Sequence, residues 1–243
     1  MLRPLLALAA ALSLSACAEL VDPSHITETT RAKYAAVQDG AITVPAVPEE
    51  YLTEAIARQE VNYSAPHAPG TIIVDPGAKR LYQLLGNGRA MRYVVGVARA
   101  GRGFSGNANV AFQRDWPYWT PTANMVRRDP ELYGPIRNGK PGGLDNPLGA
   151  RALYLYRNGR DTLYRIHGTS EPKSIGMQAS SGCIRMFNQD AMHLAANTPN
   201  GTRVIVLPES RSGAWVDPAD MPAPEPGEAL TAGSNPLEDT STL

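Results

Sequence analysis

From Gly70 onward the chain is cut into short apolar runs separated by glycine- and asparagine-bearing turns, a spacing that suits strands and leaves little room for long helices. The stretch TIIVDPGAKRLYQLLGNGRAMRYVVGVA reads as a strand, a turn at Pro76–Gly77, and two strands joined at Gly86–Asn87–Gly88. ARALYLYRNGRDTLYRIHG repeats the pattern, with Asn158–Gly159 supplying the positive φ angles that a tight hairpin needs. TRVIVL closes the series. Only NQDAMHLAAN, opened by Asn188 as an N-cap, reads as a helix inside this region. The expected class is mainly β, with one short helix after Cys183 and a long loop insertion from Gly101 to Pro147.

The flanks read differently. Residues 18–68 are expected to be a spacer with short helices, one in TETTRAKYAAVQDG ending at Gly40 and one in PEEYLTEAIARQEV, where Leu52, Ala55 and Ile56 keep helical spacing. APHAPG breaks the second helix and marks a boundary, leaving His67 in a solvated linker. The domain proper is then 69–207. Residues 208–243 are rich in proline, glycine and acid with few large apolar side chains, which predicts a disordered tail. The insertion is too long for an idle connection. Its DWPYWTP segment predicts order, with Trp116, Tyr118 and Trp119 either walling a substrate groove or forming a local core.

Residues 1–17, MLRPLLALAAALSLSAC, carry Arg3, an apolar run from Leu5 to Leu14 and then small residues. That is the build of a secretory signal, too short to span a membrane as a helix. LSAC resembles the lipobox of bacterial lipoproteins, which would make Cys17 the lipidated first residue of the mature chain. Cleavage at the small residues around Cys17 would discard it instead. Either route predicts export, with the periplasm as compartment and, if Cys17 is kept, a lipid anchor to the membrane. Cys183 then has no intrachain partner in an oxidising compartment, which favours a working thiol. Residues 69–207 hold 18 Lys+Arg against 8 Asp+Glu, a net of +10, while the tail after Leu207 has 7 acidic residues and only Arg211. A basic exported domain suits an anionic partner. Peptidoglycan stems with free carboxylates fit that description, and nucleic acid does not.

ASSGCIRM holds Cys183, and RIHGT lies sixteen residues before it with His167. Alternation in TLYRIH puts Leu163, Arg165 and His167 on one strand face, with His167 at the strand end where catalytic groups are held yet open to substrate. A thiol nucleophile needs a base, a group that orients the base, and amide donors for the oxyanion. Gly182 permits unusual dihedrals before the thiol, the N–H groups of Gly182–Cys183 are candidate oxyanion donors, and Arg165 and Arg185 would favour a thiolate. On the residues alone, an inert buried thiol stands beside this reading. His25, His67, His167 and His193 are too scattered for a zinc site, and GRGFSGNAN lacks the spacing of a dinucleotide fingerprint. No cofactor is expected.

IHGTSEPKSIGMQASSGCIRM, with NPLGARALYLY before it and GTRVIVL after, resembles the signature of the L,D-transpeptidase catalytic domain (YkuD type) over residues 70 to 207. That pattern is an HG pair, about fifteen residues, then Ser/Thr-x-Gly-Cys, an apolar residue and often arginine. The resemblance implies a two-sheet β-sandwich and acyl transfer on peptidoglycan stem peptides. Cys183 would attack the carbonyl of the third stem residue, release D-alanine, and pass the thioester to an amine of a second stem or of a protein. Water as acceptor would make the chain an L,D-carboxypeptidase, and the alternative outside catalysis is a peptidoglycan-binding lipoprotein. The resemblance further implies His167 as acid/base, oriented by a carbonyl such as that of Gly168. It implies Arg185 as partner of a substrate carboxylate, with a structural ion pair as the other reading. Ser180 would bond near the thiol or shape the turn. Ser181 stands where many members carry histidine, so a second imidazole beside the thiol is missing.

Overall fold

The computed structural model describes residues 26–98, 103–180 and 182–220. The signal segment with Cys17, Ser181 and residues 221–243 of the expected tail lie outside the described residues. Among the described residues thirteen strands and four α-helices follow one another in the order α1 (Glu28–Lys33), β1 (Val37–Asp39), β2 (Ile42–Val44), β3 (Gln59–Asn62), β4 (Ile72–Asp75), β5 (Arg80–Gly86), β6 (Arg89–Val94), β7 (Val97–Ala98), β8 (Gly106–Asp115), α2 (Ala123–Arg128), α3 (Pro130–Tyr133), β9 (Arg151–Arg157), β10 (Arg160–His167), β11 (Gln178–Ser180), β12 (Ile184–Arg185), α4 (Asn188–Ala196) and β13 (Arg203–Val206). The fold is mainly β. Asn87–Gly88 and Asn158–Gly159 both take positive φ, which matches the right-handed twist of the strands they join, β5 to β6 and β9 to β10.

Nine strands form one mixed sheet in the order β12-β10-β9-β8-β13-β4-β5-β6-β3, parallel at β12/β10 and β13/β4 and antiparallel elsewhere. The sheet bends back on itself. Gly96, just past β6, exchanges both backbone hydrogen bonds with Arg185 of β12 (2.9 and 2.8 Å), so two distant parts of the ladder meet. One apolar core fills the space between the layers, drawing Ile72, Leu81, Tyr93, Val110, Leu153, Ile166, Ile184 and Val204 from strands across the sheet and Leu194 from α4. Alternate residues of the contributing strands supply it, as period-two patterning requires.

Several expectations need correction. The insertion contains β8, a central strand between β9 and β13, whose GNANVAFQRD sequence hides strand character because most of its side chains away from Ala108 and Val110 are polar. The rest of the insertion is ordered by Asn146, fully buried, whose amide donates to the carbonyls of Pro117, Lys140 and Pro141 at 2.9–3.1 Å. The two helices expected before residue 68 shrink to α1 and a 3-10 turn at Glu49–Tyr51, because Val37–Asp39 pairs with Ile42–Val44 and Gln59–Asn62 pairs with β6. Cross-strand hydrogen bonding and burial override a weak helical period there.

Those residues are also no spacer. Ile26, Tyr34, Val47, Leu52 and Ala57 form a second apolar cluster with Val94, Ile175 and Phe187 of the domain. Gln189 at the start of α4 donates to the carbonyls of Ala35 and Pro45, and the buried Asp190 accepts from Tyr34 Oη (3.2 Å) and pairs with Arg58 (2.9 Å). At the other end, residues 208–220 are packed rather than disordered. Trp215 meets Tyr63 and His67 edge-on, Arg211 lies over its ring, and Asp75 accepts from Ser212 and Gly213. A single tryptophan with an apolar seat is enough to fix a segment whose composition otherwise favours disorder. His67 is therefore half-buried against Trp215, not solvated.

Candidate active site

The site is built where β12 joins β10 in parallel. Ile166 pairs with Ile184 and His167 with Arg185, so Cys183, one residue ahead of β12, falls opposite Arg165. Residues two apart share a face, and cross-strand partners share it too. Arg165, His167, Cys183 and Arg185 therefore lie on one face of this pair, while Ile166 and Ile184 enter the core from the other. Residues that the chain separates by sixteen positions become diagonal neighbours. The backbone N–H of Met186 donates to the His167 carbonyl (2.8 Å) and locks the register.

The alternation expected of β10 holds from Arg165 to His167 and fails at Leu163. The β9–β10 register shifts between Asp161 and Arg165, and Leu163 bulges out with φ 63° and 74% exposure. Its carbonyl faces the Cys183 Sγ at 3.9 Å.

His167 is buried, and its Nδ1 lies 2.5 Å from the Gly168 carbonyl. A carbonyl only accepts, so Nδ1 carries the proton and Nε2 of the neutral ring keeps its lone pair. Burial pushes the imidazole down to about 4; the Gly168 hydrogen bond opposes this, and the guanidinium groups of Arg185 and Arg165 add to it. Burial also pushes the Cys183 thiol up, against the Arg165 backbone amide and the same two guanidinium groups. The pair thus rests as neutral thiol and neutral imidazole, not as an ion pair.

Ser180 and Gly182 shape the turn that presents the thiol. Ser180 Oγ donates to the Cys183 carbonyl (2.6 Å) and accepts from Gly182 N (3.2 Å). Gly182 sits at φ 154°, which L side chains rarely adopt. The N–H of Gly182 is spent on Ser180 and is not the free donor expected of it. Asn188 was legible only as an N-cap, yet Phe187 occupies that position and Asn188 works across the fold. Its Oδ1 accepts from Ala150 N (2.9 Å) and Thr169 N (3.2 Å), and its Nδ2 donates to Thr169 O (3.0 Å). A Cβ on Gly168 would collide with that oxygen, which is why glycine follows the histidine.

Arg185 is half-buried and paired with Glu171 (2.9 Å), a residue the sequence did not single out. Arg165 is tied to both oxygens of Asp161. Trp116 and Trp119 are both half-buried: Trp116 Nε1 donates to Asp39 (2.8 Å), and the Trp119 ring sits 6.1 Å from Tyr133. His193 is satisfied by Tyr93 Oη at 2.8 Å. Among the described residues no group of three or more His, Cys, Asp or Glu is placed to hold a metal ion.

A family model, the L,D-transpeptidase catalytic domain (YkuD), matches residues 69–206. The chain is 36% identical over 139 residues to the probable L,D-transpeptidase ErfK/SrfK of Salmonella typhimurium, covering 56% of this chain and 43% of that protein. It is 32% identical over 156 residues to the putative L,D-transpeptidase YkuD of Bacillus subtilis, covering 63% of this chain and 85% of that one. The chain thus spans less than half the length of ErfK/SrfK and most of YkuD. A solved structure from Brucella melitensis, described as a probable carnitine operon oxidoreductase caia, is 45% identical and covers 62% of this chain and 92% of that one, with a TM-score of 0.44.

Proposed function

The chain belongs to the L,D-transpeptidase catalytic-domain family, and from that premise we propose that it transfers peptidoglycan stem acyl groups through a thioester on Cys183. The observation that carries the reading is the parallel β10/β12 register, which sets Cys183 beside a neutral His167 whose Nδ1 is fixed on Gly168. His167 Nε2 takes the thiol proton as sulfur attacks the carbonyl of the third stem residue. The tetrahedral oxyanion is held by a backbone amide; with Gly182 N–H committed to Ser180, we assign that role to Cys183 N–H. Collapse breaks the peptide bond, and His167 returns its proton to the departing D-alanine amine. An acceptor amine then attacks the thioester, His167 takes its proton, and the thiol is restored. The thioester conserves the energy of the broken bond, so the exchange needs no nucleotide. A second stem or a protein amine completes transfer. Export, and anchoring through Cys17, belong to the same proposal, since this substrate lies outside the cytoplasm.

Incubation with a disaccharide-tetrapeptide, followed by mass spectrometry of protein and products, tests it. The expected result is an acyl adduct on Cys183 with crosslinked dimer, lost in Cys183→Ala and slowed about 10²- to 10⁴-fold in His167→Ala. Adduct with tripeptide alone identifies water as acceptor. Product without any adduct on Cys183 overturns the nucleophile.

A further inference from the structure

Two arginine–carboxylate pairs flank Cys183, and they differ in build. Arg165 is held on three sides: both oxygens of Asp161 accept from it at 2.7 Å, and its guanidinium lies 4.3 Å over the Tyr154 ring. Its side chain is 13% exposed and that of Asp161 32%. Such a bidentate, stacked pair is fixed. Among the described residues the Arg185 side chain has one hydrogen bond, from Nη1 to Glu171 Oε2, and the Glu171 side chain is 57% exposed.

The backbone on both sides of this second pair is nevertheless firm. Arg185 exchanges backbone hydrogen bonds with Gly96 and pairs with His167 across the sheet. Glu171 N–H donates to Thr169 Oγ1 (3.0 Å), and its carbonyl accepts from Ser174 Oγ (2.7 Å). The Glu171 carboxylate can therefore swing into solvent without disturbing the loop that carries it. When it does, a guanidinium on the face shared by Cys183 and His167 presents a fork of donors shaped for a carboxylate.

We propose that Glu171 is an internal occupant of the Arg185 anion site, displaced by a free carboxylate of the donor stem, so that Glu171 sets donor affinity without entering acyl transfer. The proposal rests on the transferase reading above for the identity of the ligand. A singly bonded ion pair whose carboxylate is exposed is weak, and its loss changes a competing affinity by about two- to fivefold. Glu171 is thus strong enough to discriminate against ligands lacking a carboxylate and weak enough to yield to one that has it. Arg165, held by Asp161 and Tyr154, has no such freedom.

Equilibrium binding of a disaccharide-tetrapeptide to the full chain tests this, comparing Cys183→Ala with Cys183→Ala/Glu171→Gln so that turnover does not intervene. The same ligand with its terminal or side-chain carboxylate amidated, one at a time, serves as the control. Glu171→Gln is expected to tighten the free acid about two- to fivefold and to leave the ligand amidated at the bound carboxylate unchanged. Equal or weaker binding of the free acid, equal tightening of every amidated form, or no binding to either chain overturns the proposal. Adduct formation by the unsubstituted chain is scored separately. Adduct without a Glu171 effect removes the displaced-carboxylate role alone. A Glu171 effect without adduct leaves that role standing and removes the transferase.

Discussion

His167 is enclosed by protein on a face that also carries two guanidinium groups, and these surroundings oppose a positive charge on its ring. Its imidazole is pushed down to about 4, so it is an available base across the neutral and mildly acidic range. The thiol is pushed the other way by burial, so no thiolate accumulates before substrate arrives. In the proposed reaction, proton transfer then accompanies attack instead of preceding it. The acylation rate per donor concentration should stay level from pH 7 to about pH 5 and fall as pH drops through about 4, where imidazolium can no longer accept the proton. An acid limb near the ordinary histidine value of about 6.5 would show that the ring is solvated during the reaction. Cys183 and His167, the residues to which the proposed chemistry is assigned, stand out in the chain because their spacing with Gly168 and Gly182 is a local pattern. Glu171 and Asn188 were not, because each acts through a partner on another element.

At the scale of elements, α4 follows the Cys183 segment and is gripped by residues 34–58 through Gln189 and Asp190. Asp190 is fully buried, and burial lifts its carboxyl to about 6 although Arg58 and Tyr34 hold it down. Its folded value lies above its unfolded one, so the folded state binds this proton more tightly. The stability that this group contributes is full below about pH 4 and is lost as pH rises through about 6. Arg58→Met leaves the carboxylate unpaired and should cost about 3–5 kcal/mol at pH 8 in denaturant melts, and clearly less at pH 5. A loss of the same size at both pH values would assign the effect of Arg58 to its stem packing. The hairpins were legible from Asn87–Gly88 and Asn158–Gly159, since a two-residue turn is decided by its own φ angles. β3 and β8 were not, because a strand of mixed polarity is selected by the neighbours that pair with it.

The whole molecule extends the domain that the family model delimits at residues 69–206. Residues 26–62 cover Val94, Ile175 and Phe187 and supply an edge strand beside β6, while residues 211–216 close over Tyr63 and Asp75. Deleting residues 26–68 should uncover this apolar cluster and strip Asp190 of both partners. A fall in Tm of more than about 10 °C, with binding of a hydrophobic dye at temperatures where the full chain binds none, is the expected outcome. An unchanged Tm would mean that the domain folds independently of its leading segment.

By itself the sequence determined the mainly β class, the tight turns, and the pair of motifs to which the proposed chemistry is assigned, since turn geometry, period-two alternation and short spaced signatures are written within a few residues of one another. The parallel docking of β12 on β10, the burial that leaves His167 uncharged, the hold of Glu171 on Arg185, and the joining of residues 26–62 to α4 were decided only in the tertiary structure. Each depends on desolvation or on a partner far along the chain, and neither quantity exists until the sheet has bent back on itself.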